Sequence, residues 1–389
     1  MEGFAASVVR EVLGEKNQTL CCASLHARSD AMGEEEGVGA HDLDTDLCAS
    51  PQAPMPDPLN PLLAVRRTSE DVVRNGNHVK ISARALEDLA ERWSQSGVAN
   101  TILHGAIGWD ACGWHYSDDV ANGGEKTCQY IFVLDSLNFC FWPTRGLEYE
   151  HLASGLKSAL QKDPDALSAD NLLTMTEERL AGWFSGFDVP QAAERVGKLR
   201  ELGAVLANHF EGKAVELVAR AQGSAARLVR LLVSLLPGFR DEAVYRGKQC
   251  FFYKRAQILA GDLWAAFKGQ GLGGDLDCVG KSSCAFHDVG DLTMFADYRI
   301  PQLLNHFQIV EYSKDLQRRV NSLEEVPAGS EEEVEIRAAC VQAVELLRAA
   351  MGTRGTVLLS IEIDWLLWHT GEDMKEDIMP HHRTRTIFY

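Results

Sequence analysis

Apolar positions recur with sustained helical spacing from Asn60 onward, and before that point there is little sustained periodicity. The repeat i, i+3, i+4, i+7 is clearest in Ala256, Leu259, Ala260, Leu263, Trp264 and Phe267, which predicts a helix over Tyr253–Phe267. Similar spacing predicts helices near 147–161, 168–184, 190–210 and 213–236, with Pro190 in a first turn and Pro237-Gly238 as a stop. Ser82 is a fitting N-cap for a helix beginning at Ala83. Further helices are expected from a start at Pro301, over Glu331–Met351 and over Val357–Trp368. Gln129–Trp142 is β-branched and aromatic and reads as a buried strand or strand pair. Asp241–Tyr253 is ambiguous, with Arg246-Gly247-Lys248 as a candidate hairpin turn, and Gly269–Ser283 reads as a loop. The expected fold is a mainly α single domain over 58–389 with a small β element. Residues 1–57, with Glu34-Glu35-Glu36 and a Pro-rich exit, read as a disordered tail, because so polar a segment buries too little to offset its ordering entropy.

Composition narrows the function classes. The 389 residues are 46% hydrophobic and carry a formal net charge of -18. Coating a duplex requires a basic surface, so a polynucleotide binder is a poor fit. Apolar runs such as Leu231–Leu236 are far shorter than the roughly 20 residues of a membrane-spanning helix. The ten cysteines form no C-x-x-C pair and read as reduced thiols of a cytoplasmic protein. An acidic tail is a poor organelle-targeting sequence, though it leaves that route open.

Three constellations could carry chemistry. Ile361, Asp364, Trp365 and Trp368 share one helix face, which sets Asp364 among large apolar groups. A carboxylate there is either a buried acid satisfied by a backbone N–H or an Arg, or a perturbed catalytic group. Phe295, Asp297, Tyr298 and Arg299 precede Pro301; they could grip a planar ring, or form an Asp–Arg cap above core aromatics. Arg255 and Asp262, seven apart, share one face of the Tyr253–Phe267 helix. They suit either the two ends of a ligand or a solvated edge. Cys278, Cys284 and His287 have no common zinc spacing. Gly271-x-Gly273-Gly274 follows a helix, which is not a phosphate fingerprint. His381-His382 lacks an evident acid partner, and Glu331–Arg337 reads as a solvated helix start.

Five ordered segments, 130–142, 252–264, 295–302, 333–337 and 363–368, together with the Arg-x-Arg-x-Ile-x-Tyr run at 383–389, resemble the queuosine salvage proteins. The resemblance covers about Pro58 to Tyr389. It implies a fold similar to helical DNA glycosylases and hydrolysis of the N-glycosidic bond of queuosine 5′-monophosphate, releasing queuine. It implies no cofactor or metal and no obligate protein partner. It places the key carboxylate at Asp364 and base recognition at Phe295 and Asp297, with Tyr298 beside them. Asp262 could serve the same base edge or a cationic arm, and Lys254, Arg299, Arg383 and Arg385 are phosphate candidates. Leu236-Pro237-Gly238 followed by Asp262 also resembles the hairpin and catalytic Asp of helical DNA glycosylases, which makes Asp262 a rival catalyst. A non-catalytic binding module and a polynucleotide glycosylase are the alternatives.

Overall fold

The computed structural model describes residues 60–103, 108–109, 111–117, 124–269 and 284–389. The predicted tail and nearly all of the predicted loop after Gly269 lie outside the described residues. The described chain is mainly helical. It opens with α1 (Pro61–Asn75), β1 (Val79–Ile81), α2 (Ala83–Ser96) and α3 (Ala99–Leu103). Then follow α4 (Glu125–Leu137), α5 (Tyr149–Lys162), α6 (Ala169–Leu173), α7 (Glu177–Trp183), α8 (Ala192–His209), α9 (Ala214–Ala221) and α10 (Ala225–Leu235). A hairpin of β2 (Glu242–Tyr245) and β3 (Lys248–Phe251) leads into α11 (Lys254–Ala266). The chain continues with α12 (Arg299–His306), β4 (Val310–Tyr312), α13 (Lys314–Asn321), α14 (Glu331–Thr353) and α15 (Ser360–Met374). β1 pairs antiparallel with β4, Val79 opposite Tyr312.

Several helices start where expected. Ser82 accepts from Ala85 N at 3.4 Å and caps α2. The hairpin turns at Arg246 and Gly247, both at positive φ, the geometry that matches the twist of two paired strands. α14 packs along α1 and α2, and α15 packs on α12.

Other segments differ from the pattern. Gln129–Trp142 is not a strand: α4 runs to Leu137, and every residue from Thr127 to Leu137 is buried. A helix enclosed on all sides has no polar face, so its period disappears and β-branched composition misleads. The predicted 168–184 helix is two, with Thr176 capping α7 by accepting from Arg179 N. The predicted 213–236 helix breaks at Gln222–Ser224, where Asp288 accepts from Ala225 N at 2.6 Å and Ala226 N at 3.1 Å. That cap lies 63 residues away and leaves no local signal. Pro190 sits before Gln191, the N-cap of α8, and Pro301 lies inside the first turn of α12. The last helix starts at Ser360, because the Glu362 carboxylate accepts from Leu359 N at 2.7 Å.

Candidate active site

A cleft opens where α11, α15, the Thr293–Tyr298 strap and the exit of α4 converge. Its walls include Asp262, Lys254, Phe295, Asp297, Tyr298, Arg299 and Asp364. The empty space is about 990 Å³ with its open mouth counted.

The strap has no helix or ladder to satisfy its backbone, so side chains do it. Thr293 N donates to Gln257 Oε1 at 2.9 Å, and Phe295 N donates to Asp364 Oδ1 at 2.7 Å. Arg337 Nε donates to Ala296 O at 3.1 Å. Arg337 is itself buried and bidentate to Asp241, at 2.8 and 2.6 Å. Asp241 Oδ2 also accepts from Lys254 N at 3.0 Å. One ion pair therefore fixes both the strap and the start of α11. Two glycines make room for Phe295 of the strap and Arg299 of α12. A Cβ on Gly261 would stand 2.9 Å from Phe295 Cζ, and one on Gly371 would stand 3.0 Å from Arg299 Cγ.

Asp364 is 4% exposed and Asp262 7%, which decides their electrostatics: water cannot solvate either anion well. Burial pushes both carboxyls well above the usual range. For Asp364, Asp297 adds to the rise, while the Phe295 N–H and Lys254 oppose it. For Asp262, Asp135 adds most after burial, Lys254 opposes, and no main-chain N–H among the described residues helps the anion. Asp297 is half-buried and also raised by burial, against Lys254 and the N–H groups of Ile300 and Arg299. Its Oδ1 caps α12, accepting from Arg299 N at 2.9 Å and Ile300 N at 3.1 Å. Asp297 is therefore a helix cap that also lines the cleft. Lys254 is lowered by burial, against the pull of Asp297, Asp135 and Asp364. Its Nζ donates to Asn138 O at 3.3 Å.

Aromatic rings wall the rest. Trp264 stacks on Trp365 at 6.2 Å, and Tyr149 meets Trp368 edge-on at 6.0 Å. Trp109 stacks on His115 at 3.9 Å, and His115 reaches the Tyr149 hydroxyl at 2.9 Å. At the mouth, Arg299 pairs with Glu372 at 2.6 Å and Glu148 at 3.6 Å. Lys375 bridges the same two carboxylates at 2.9 and 3.0 Å.

Of the residues singled out from sequence, Arg383 and Arg385 are not among the cleft walls; both lie over the Trp142 ring, at 5.7 and 5.3 Å. Arg255 is neither a ligand end nor a solvated edge. It is buried, and its guanidinium donates to the carbonyls of Asp135, Ser136 and Gly238. Glu331–Arg337 is only partly a solvated start: Glu333, Glu335 and Arg337 are buried, with partners from distant segments. Pattern reasoning also missed Trp109, Trp114, His115, Asn138, Glu148, Tyr149, His369, Glu372 and Tyr389 as walls, since no spacing joins them. Among the described residues, His78, Glu331 and Glu335 form a metal-like group outside the cleft. There Glu335 accepts from the N–H groups of Asn77, His78 and Val79 and from the Tyr245 hydroxyl, and Glu331 pairs with Arg246. That group is a loop cap.

A helical scaffold holding two buried acids, a half-buried one, a lysine and aromatic walls around one cleft has the features of a small-molecule site. Residues 115–389 match the family described as queuosine salvage protein, and the chain belongs to that family. A queuosine 5′-phosphate N-glycosylase/hydrolase of Dictyostelium discoideum is 45% identical over 336 residues, 85% of this chain and 100% of the relative. Proteins of the same description from Sphaerobacter thermophilus and Mus musculus are 40% and 30% identical. They cover 84% and 85% of this chain and 98% and 100% of their own lengths.

Proposed function

We propose that this chain hydrolyses the N-glycosidic bond of queuosine 5′-monophosphate and releases queuine for reuse in transfer RNA, with residues 58–389 as the catalytic domain. The reading rests on the family's named activity together with one observation: the carboxylate expected to serve the sugar, Asp364, stands in a cleft with the residues expected to serve the base. Breaking an N-glycoside builds positive charge on the ribose. Burial favours the neutral acid at Asp364, and a cationic sugar favours its anion, so the carboxylate stabilises the charge as it forms. Phe295 and the tryptophans offer stacking faces, and the free oxygen of Asp297 suits the N–H edge of a guanine-like ring. Lys254 and Arg299 are the phosphate candidates that line the cleft. The net charge of -18 disfavours a polynucleotide substrate. Among the described residues no helix is long and apolar enough to cross a membrane, and a cytoplasmic site of action fits the reduced cysteines.

The test is release of free queuine from the purified nucleotide. Asp364→Asn keeps an acceptor for Phe295 N and removes the charge, so kcat is expected to fall at least ~10²-fold with little change in KM. Wild type that binds the nucleotide without cleaving it would refute the reading. Near-normal turnover in Asp364→Asn, with loss in Asp262→Asn, would move the sugar role to Asp262.

A further inference from the structure

Two cleft residues far apart in the chain are joined by a short run of hydrogen bonds. His115 and Tyr149 both line the cleft. The His115 ring lies on Trp109, with centroids 3.9 Å apart and planes 14° from parallel. Its Nδ1 is 2.7 Å from Trp109 O, and its Nε2 is 2.9 Å from the Tyr149 hydroxyl. A carbonyl oxygen only accepts, so Nδ1 carries a hydrogen. In the neutral ring Nε2 is then bare, and the Tyr149 hydroxyl donates to it. An imidazolium would reverse this bond: both ring nitrogens would donate, and the hydroxyl hydrogen would turn away from His115. The Tyr149 ring is placed by its own neighbours, Trp368 edge-on at 6.0 Å and Trp114 at 6.5 Å. Burial, and after it the charge of Asp262, raises the Tyr149 hydroxyl well above the usual phenol range, so it keeps its hydrogen at neutral pH. Tyr149 thus has one hydrogen to give, and His115 decides where it points.

We propose that His115 is a positioning residue that acts through Tyr149: it accepts the hydroxyl's one hydrogen and leaves the Tyr149 oxygen to accept from a hydrogen-bond donor of the bound nucleotide. A hydroxyl free to rotate meets a donor or an acceptor equally well. One whose hydrogen is committed meets only a donor. The pair therefore selects for a ligand with an O–H or N–H at this point. It selects against a bare acceptor there, because two facing lone pairs lose their water without gaining a bond. On a nucleotide the donor is a ribose hydroxyl or an N–H of the base.

This rests on the nucleotide reading of the cleft, and the experiment separates the two. A wild type that releases no base sinks that reading, while the state of the His115 ring still judges this one. Nitrogen-15 NMR of histidine-labelled protein at neutral pH is expected to show a hydrogen on His115 Nδ1 and none on Nε2. A hydrogen on Nε2 overturns the proposal. The His115 signals are those lost in His115→Phe; should that variant fail to fold, they are those whose Nε2 member moves in Tyr149→Phe. In an active wild type, kcat and KM are then compared across Tyr149→Phe, His115→Phe and the double variant. Tyr149→Phe removes the acceptor, and KM is expected to rise about three- to tenfold with kcat nearly unchanged. His115→Phe keeps a ring on Trp109 and frees the hydroxyl, so KM should rise by up to the same factor. In the double variant KM should match that of Tyr149→Phe alone. An unchanged KM in either single variant, or losses that multiply in the double, overturns the proposal. The 2′- and 3′-deoxy nucleotides locate the donor. The Tyr149→Phe effect vanishes with the analogue that lacks it, and persists with both when the donor is on the base.

Discussion

At the scale of single residues, the chemistry depends on what each acid can reach. Asp364, Asp297 and Asp262 share one cleft, yet they differ in backbone help. Among the described residues, Asp364 accepts from one N–H and Asp297 from two, while Asp262 accepts from none. Identical side chains thereby acquire different tendencies to ionise. Gly261 shows the same dependence on a neighbour. Its missing Cβ leaves room for the Phe295 ring, which would otherwise be met at 2.9 Å. In Gly261→Ala the helix-propensity gain of about 1 kcal/mol and the overpacking cost of ~1–3 kcal/mol largely offset each other. The fold is expected to survive while the ring is driven out of register. KM should rise about tenfold, equal to ~1.4 kcal/mol of lost contact, with a thermal midpoint near that of wild type. An unchanged KM would separate the ring from binding.

At the scale of elements, helix ends are decided by distant partners. The carbonyls of residues 135–140, where α4 ends and the cleft wall begins, all accept from buried cations. Arg255 serves Asp135 and Ser136, Arg195 serves Leu137, Phe139 and Cys140, and Lys254 serves Asn138. Burial lowers Arg195 to about 9 and Arg255 to about 10, so both stay charged at neutral pH with carbonyls in place of carboxylates. α10 is capped from afar too, by Asp288. Asp288→Ala leaves those N–H groups open and should cost about 1–2 kcal/mol in a denaturant titration. Since Asp288 lies outside the cleft, kcat should stay at the wild-type value. A loss of turnover without loss of stability would contradict this account of the cap.

At the scale of the whole molecule, the C-terminal segment closes the structure. Tyr389 O accepts from Cys140 N at 3.0 Å, and its hydroxyl donates to Glu333 at 2.9 Å. Beneath it His382 is buried and held down to about 3 by burial, then by His381 and Arg337. Its folded value lies below the unfolded one near 6.5, so its contribution to stability is full above about 6.5 and is lost as pH falls toward 3. His382→Gln should therefore flatten the acid side of the stability curve, by up to ~1.4 kcal/mol per pH unit below 6.5. A parallel wild-type curve would show that His382 does not titrate with folding. Much of this molecule was legible from its residues alone. The amphipathic period located α11, an N-cap and first-turn acids located α2 and α14, turn chemistry located the β2–β3 hairpin, and the face shared with Trp365 and Trp368 marked Asp364. These are local properties, carried by spacing along one element. Tertiary structure alone made α4 a helix, moved Arg255 from an edge to the core and drew Glu148, Tyr149 and Glu372 to the cleft. It also separated Arg383 and Arg385 from the cleft walls. The physical reason is the same in each case: burial and hydrogen-bond partners from segments far apart in the chain decide the outcome, and spacing within one segment does not encode them.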